Sequence, residues 1–225
     1  MIQSEHQRRA YLEALGIDVW LPRGQAEPEA EVLEATITAD SLDWSELRAA
    51  VAACRRCRLH ESRTQTVFGV GNPDADWMIV GEAPGAEEDR RGEPFVGRAG
   101  KLLDEMLRAV GHGRDSVFIA NILKCRPPNN RDPQPDESNE CRGYLERQIE
   151  LIQPRIILAV GRIAAQLLLE TDTPVGRLRG SRHQLGDTPL VVTYHPAYLL
   201  RSPSQKRKAW DDLCLAMRIA AAVDA

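Results

Sequence analysis

This sequence predicts an α/β protein, a three-layer α/β/α sandwich around a central four-stranded parallel sheet. Three observations carry that prediction. Four short apolar runs of β type are present: Trp77–Val80, Val117–Ile122, Arg155–Val160 and Leu190–Tyr194. They recur roughly every 30–40 residues with helix-like segments between them, the order of a parallel sheet covered by helices. The runs are also nearly continuous rather than alternating, as strands buried on both faces must be.

The elements follow in chain order. Tyr11, Leu12 and Leu15 have helical spacing, and Gly16 ends that short amphipathic helix. A Glu- and Ala-rich stretch from Arg23 to about Asp40, broken by Pro22 and Pro28, has linker composition. Residues 1–43 are therefore expected to form a helix and acidic linker, and residues 44–225 the main domain. A helix starting after Ser41 or Asp43 carries Trp44, Leu47, Val51 and Ala52 into Cys54. Further helices are expected over Gly100–Val110, Cys141–Ile152, Arg162–Leu169 and Ser204–Ala222.

With 43% apolar and 28% charged residues, the chain can bury an ordinary globular core. Its longest unbroken apolar run is six residues, Ala49–Cys54, against the ~20 a membrane-spanning helix needs. No membrane partner is expected. The polar start MIQSEHQRRA has no apolar signal region, so the expected compartment is the cytoplasm. The net charge of −4 is uneven: residues 1–46 carry ten acidic groups against Arg8, Arg9 and Arg23, leaving +3 on the remainder. That basic excess on the main body is compatible with a nucleic-acid partner.

Open α/β sheets bind ligands at the carboxyl ends of their strands. After the first strand comes Gly81-Glu82-Ala83-Pro84-Gly85, near the end of the second Asn121, and after the fourth His195-Pro196. A carboxylate, an amide and an imidazole could thus meet in one cleft. An amide can read a base edge, an imidazole can stabilise an anion, and a carboxylate can position water. The GEAPG segment could instead cradle a phosphate, but it lacks the Lys-Ser/Thr of a P-loop.

Five cysteines in a cytoplasmic chain point to metal binding or catalysis rather than disulfides. Cys54 and Cys57 form C-x-x-C, while Cys125 and Cys141 bracket a fifteen-residue loop rich in Pro and Asn. Four thiolates suit either a zinc site or a four-iron cluster, and spacing does not separate the two. His60 is a spare zinc ligand to a set that is already complete. Cys214, between Leu213 and Leu215, is expected to be a small core residue.

Taken together, CRRC at 54–57, GEAPGAEEDRRGEPFVGRAGKLLD at 81–104, NILKCRPPNNRDP at 121–133, Cys141 and HPAYLLR at 195–201 resemble the family 4, iron–sulfur uracil-DNA glycosylases. The resemblance covers about residues 44–220. It implies a monofunctional hydrolase of N-glycosyl bonds that flips uracil out of DNA and leaves an abasic site for base excision repair. It also implies a [4Fe–4S] cluster on Cys54, Cys57, Cys125 and Cys141. By the same resemblance Phe95 would stack on the extruded base, Asn121 would bond uracil N3 and O4, and His195 would donate to O2. Glu82 and the Ala83 backbone would position base and water, and Arg201 would enter the gap left by the flipped nucleotide.

Superfamily relatives that place an Asp where this chain has Ala83 use it to activate water. Here Glu82 is the first candidate for that role and Glu88 the second. No covalent adduct is expected, because the segment after Asn121 lacks the His-bearing insert of adduct-forming relatives. No lysine stands in the catalytic motif positions as a Schiff-base nucleophile. Arg98, Lys101, Lys124 and Arg201 are the candidate DNA-backbone contacts, on single- or double-stranded DNA. The protein is expected to be a monomer, with residues 1–43 available to a replication or repair protein. The alternative reading is a non-catalytic DNA-binding module associated with replication proteins. A nucleotide hydrolase using GEAPG is a weaker third.

Overall fold

The computed structural model describes Leu15 and residues 39–222; the expected amino-terminal helix and nearly all of the acidic linker lie outside the described residues. Strands β1 (Val70–Gly71), β2 (Trp77–Gly81), β3 (Phe118–Asn121), β4 (Ile156–Val160), β5 (Arg182–Leu185) and β6 (Thr188–Thr193) form one sheet in the order β1-β3-β2-β4-β6-β5. The four predicted strands are its parallel centre. Each is wholly buried apart from the first residue of β6. Met78, Val80, Ile157 and Ala159 face one core, and Trp77, Ile79, Ile156 and Leu158 face the other. Helices thus cover both sides of the sheet, and the α/β class follows from the pattern that predicted it.

Two edge strands go beyond that expectation. β1 pairs antiparallel with β3, and β5 antiparallel with β6. β1 has only two residues, and β5 (Arg-His-Gln-Leu) is exposed or half-buried along its length. Neither carries the apolar run that marks a central strand.

Helices α1 (Trp44–Ala53), α2 (Ala86–Arg91), α3 (Arg98–Arg108), α4 (Pro135–Ile152), α5 (Arg162–Leu168), α6 (Val175–Leu178), α7 (Pro196–Arg201) and α8 (Lys206–Ala222) complete the described fold. α1 starts where Asp43 caps it: Asp43 Oδ1 accepts from Glu46 N at 2.8 Å, and Glu46 returns a carboxylate to Asp43 N at 2.9 Å. Such a box contributes about 1 kcal/mol. Trp44 then packs edge-on against Phe68 and Phe118, with centroids 5.2 Å away in both cases. Ala39 and Leu42 are buried in the same core.

One correction bears on function. The segment before Cys141, expected to be loop, already forms the first turns of α4. Pro135 sits at the first helical position, where its missing N–H costs nothing, and Gln134 with Glu137 makes a capping box. Cys141 is therefore held on the buried face of a helix rather than at the end of a loop.

Candidate active site

The strand register builds the cleft. Gly81 at the end of β2 pairs with Asn121 at the end of β3. The pairing runs on through Ile122 N to Gly81 O (2.9 Å) and Leu123 N to Glu82 O (3.0 Å). Two strands further across the sheet, β6 delivers His195 to the same edge. A cavity of about 460 Å³ opens there. Glu82, Ala83, Glu88, Phe95, Asn121, His195 and Arg201, all predicted from sequence, line it.

Asn121 is 2% exposed, yet its Oδ1 has no hydrogen-bond partner. An unmatched buried acceptor costs roughly 1–3 kcal/mol, a cost that a ligand N–H would remove. Gly81 makes this placement possible. A Cβ there would lie 2.4 Å from Asn121 Oδ1 and 2.7 Å from the Phe95 ring.

Phe95 adopts a left-handed backbone, with φ of 54°. Its ring faces that of His195 at a centroid distance of 5.7 Å and an interplanar angle of 29°. Glu88 supports this turn, because its Oε1 accepts from Val96 N (2.9 Å) and Gly97 N (3.1 Å). That oxygen is committed to the Phe95 loop, which weakens Glu88 as an activator of water.

His195 caps α7, and its Nδ1 accepts from Ala197 N at 3.1 Å. The ring proton of the neutral imidazole therefore resides on Nε2. Burial, reinforced by the Arg201 charge and opposed by Glu88, pushes its pKa down to about 4. At neutral pH His195 is an uncharged donor. Glu82 moves the other way, up to about 7, chiefly through burial and secondarily through the Asp132 carboxylate, with Arg162 opposing. A carboxylate near neutrality in a cleft suits a base that accepts a proton from water.

Pro127, Asn130, Arg131 and Asp132, from the 121–133 motif, form a wall of the cleft, a placement that the sequence, which offers Arg131 only as a basic residue beside the motifs, does not assign. Asn129 and Asn130 both have positive φ, and the Pro-Pro-Asn-Asn run is a turn signature that could have flagged this return. Arg131 forms a two-pronged pair with the buried Glu137 (2.8 and 2.5 Å), and Asp132 pairs with Arg162 at 2.6 Å.

Of the basic candidates, Arg201 is exposed at the cleft mouth, and Arg98 and Lys101 are exposed on the first turn of α3. Lys124 is a correction: it is 1% exposed and cannot reach a DNA phosphate. Its ammonium donates inward to the Asn121 carbonyl (2.9 Å) and Gln148 Oε1 (2.6 Å). Burial lowers its pKa to about 8, with Cys141 and Cys125 opposing the shift.

A second hollow is lined by Cys54, Cys57, Cys125 and Cys141 together, with Arg63, Lys124 and Tyr144. All four are free thiols. Cys54 ends α1, Cys57 opens the 3₁₀ turn Arg58–Glu61, Cys125 follows β3, and Cys141 comes from α4. Arg63 donates to Cys125 Sγ at 3.0 Å and the Lys124 amide to Cys141 Sγ at 3.2 Å. Donors aimed at sulfur and adjacent cations suit thiolates carrying the charge of an iron–sulfur cluster. Among the described residues no three His, Cys, Asp or Glu side chains gather as a chelate for one ion. A cluster asks less: each thiolate needs to reach only its own iron. The residues fit such a group. His60 is turned to the Cys57 carbonyl, 2.8 Å from its Nδ1, and does not line the hollow. Cys214 is partly exposed on α8, away from the hollow.

Comparison with known proteins agrees with this geometry. Residues 68–214 match the family model described as the uracil DNA glycosylase superfamily. A type-4 uracil-DNA glycosylase of Archaeoglobus fulgidus is 45% identical over 170 residues, covering 72% of this chain and 85% of that protein. Type-4 enzymes of Sulfurisphaera tokodaii (42% identical; 77% of this chain, 82% of theirs) and Thermotoga maritima (46%; 69% and 82%) are similar to it as well.

Proposed function

The chain belongs to the uracil-DNA glycosylase superfamily, and we propose that it is a monofunctional type-4 enzyme that extrudes uracil from DNA and hydrolyses its N-glycosidic bond. The observation that carries this reading is the buried, unpartnered Oδ1 of Asn121, a residue that lines one cleft with Phe95 and His195. Uracil N3–H is the donor this atom lacks, and the amide NH₂ then donates to O4. Cytosine presents an acceptor and an amino group at those positions, which would leave mismatched buried groups.

Extrusion costs a few kcal/mol, and stacking on Phe95 returns roughly 1–3 kcal/mol of it. As the C1′–N1 bond breaks, its electron pair leaves with the base and negative charge grows on O2. The Nε2–H of neutral His195 stabilises that charge as a donor. Positive charge on the sugar is offset by nearby carboxylate. Water adds to C1′ and gives its proton to Glu82, and Glu88 shapes the base pocket by holding the Phe95 turn. The described residues lining the cleft include Arg131 and Arg201 but no lysine, in keeping with hydrolysis rather than Schiff-base chemistry.

In this reading Cys54, Cys57, Cys125 and Cys141 hold a [4Fe–4S] cluster. It supplies a rigid cross-link between α1, α4 and the segment after β3, and no chemistry of bond cleavage. Arg98, Lys101 and Arg201 meet the DNA backbone or the gap left by the base. In this reading the enzyme works as a cytoplasmic monomer, and residues 1–43, whose last few are anchored to the domain through Ala39 and Leu42, engage a replication or repair protein. No described helix is long and apolar enough to cross a membrane.

The test is a labelled oligonucleotide with one uracil, incubated with enzyme in EDTA and then treated with alkali. Breaks at the uracil that require alkali, and that vanish in Asn121→Ala and His195→Ala, are expected. Absence of breaks with folded, iron-loaded protein would favour the non-catalytic DNA-binding module.

A further inference from the structure

Phe95 holds a conformation that a bulky residue avoids, and such strain persists only where the surroundings over-determine it. Glu88 fixes the amides that follow it. Its carbonyl side is held from elsewhere in the chain, by Arg114 in the connection between α3 and β3. One guanidinium nitrogen of Arg114 donates to the Phe95 carbonyl at 3.2 Å and to Asp104 Oδ1 at 3.0 Å. The other donates to the Pro94 carbonyl at 2.7 Å. Gly100 closes the arrangement: a Cβ there would lie 1.6 Å from the Phe95 oxygen, so α3 packs its bare backbone directly on that carbonyl.

We infer that Arg114, oriented by Asp104, is a positioning residue that sets the angle of the Phe95 ring and thereby the affinity of the pocket for an extruded base. Arg114 is absent from the cleft lining and touches no reacting group. The inference rests on the glycosylase reading, in which Phe95 stacks on uracil. Its guanidinium geometry matters because two adjacent carbonyls and a carboxylate are met by one planar fork, which a lysine cannot reproduce. Stacking acts on the bound base before and during bond cleavage, so its loss falls on KM more than on kcat.

The experiment is a double-mutant cycle on uracil-containing DNA with wild type, Phe95→Ala, Arg114→Ala and the double variant. Fold is checked by circular dichroism and by iron content. Arg114→Ala is expected to raise KM about tenfold with kcat within about twofold, and to add nothing in the Phe95→Ala background. Asp104→Asn, at a partly exposed ion pair, gives a smaller rise of about threefold that is likewise absent without Phe95. Losses that multiply in the double variant, or wild-type kinetics in Arg114→Ala, overturn the inference. A wild-type enzyme inactive on uracil DNA overturns the underlying reading instead, and the inference with it.

Discussion

The cleft and the cysteine hollow are built from the same stretch of chain and meet opposite needs. Asn121 and Cys125 are four residues apart, at and just beyond the end of β3. The cleft leaves a buried acceptor without a donor and opens to about 460 Å³. The hollow gives two of its sulfurs hydrogen-bond donors and surrounds them with Arg63 and Lys124. One region is incomplete until a neutral, hydrogen-bonding ligand arrives. In the proposed function the other would hold a cluster on thiolates, against a burial that pushes Cys141 up to about 12. On the proposed function, the unsatisfied acceptor is where a substrate would come and go, and the sulfurs met by donors are where a cofactor would stay.

That contrast can be broken first in the cleft. Asn121→Ala and His195→Ala should lower kcat/KM by about 10²–10⁴ while iron content and visible absorbance stay at wild-type levels. Loss of iron in either variant would show that the two regions are not separable. Glu82→Gln should cost about 10² in kcat. For the wild type, kcat should rise with pH through about 7 as Glu82 deprotonates and becomes able to accept a proton. His195, at about 4, stays neutral throughout that window. A flat profile in the wild type would remove Glu82 from the role of base.

The hollow should answer in stability before it answers in rate. Cys141→Ala is expected to release iron and lower the melting temperature, by about 2–4 °C for each kcal/mol lost in a domain of this size. The smallest effect sharpens the Lys124 correction. Lys101→Ala should weaken DNA binding a few-fold and reduce the salt slope by about 1. Lys124→Met should leave the salt slope unchanged, because that ammonium faces Asn121 and Gln148 rather than solvent.

Much of this was legible in the linear chain. Apolar runs mark the four parallel strands, and Glu82, Asn121 and His195, which stand at or just after strand ends in the sequence, all line the cleft. The start of α4 was obscured by the polar run Pro-Asp-Glu-Ser-Asn-Glu, whose helix begins on a proline and a Gln–Glu capping box rather than on apolar periodicity. The wall at 127–132 was obscured because a turn signature says where a chain bends and not what it bends toward.

By itself, then, the sequence determined the α/β class, the order of the central strands along the chain, the four cysteines and the residue types gathered at strand ends. Those properties follow from periodicity and local chemistry, which act over a few residues. Tertiary structure decided the rest: that Lys124 turns inward, that a Glu88 oxygen is committed to the Phe95 turn, that Asp132 stands near Glu82, and that Arg114 reaches the Phe95 carbonyl. Each of these depends on which distant segment returns to a given atom and on how much water remains beside it. Burial and long-range contact set the charge and hydrogen bonding of a side chain, and neither is encoded in its immediate neighbours.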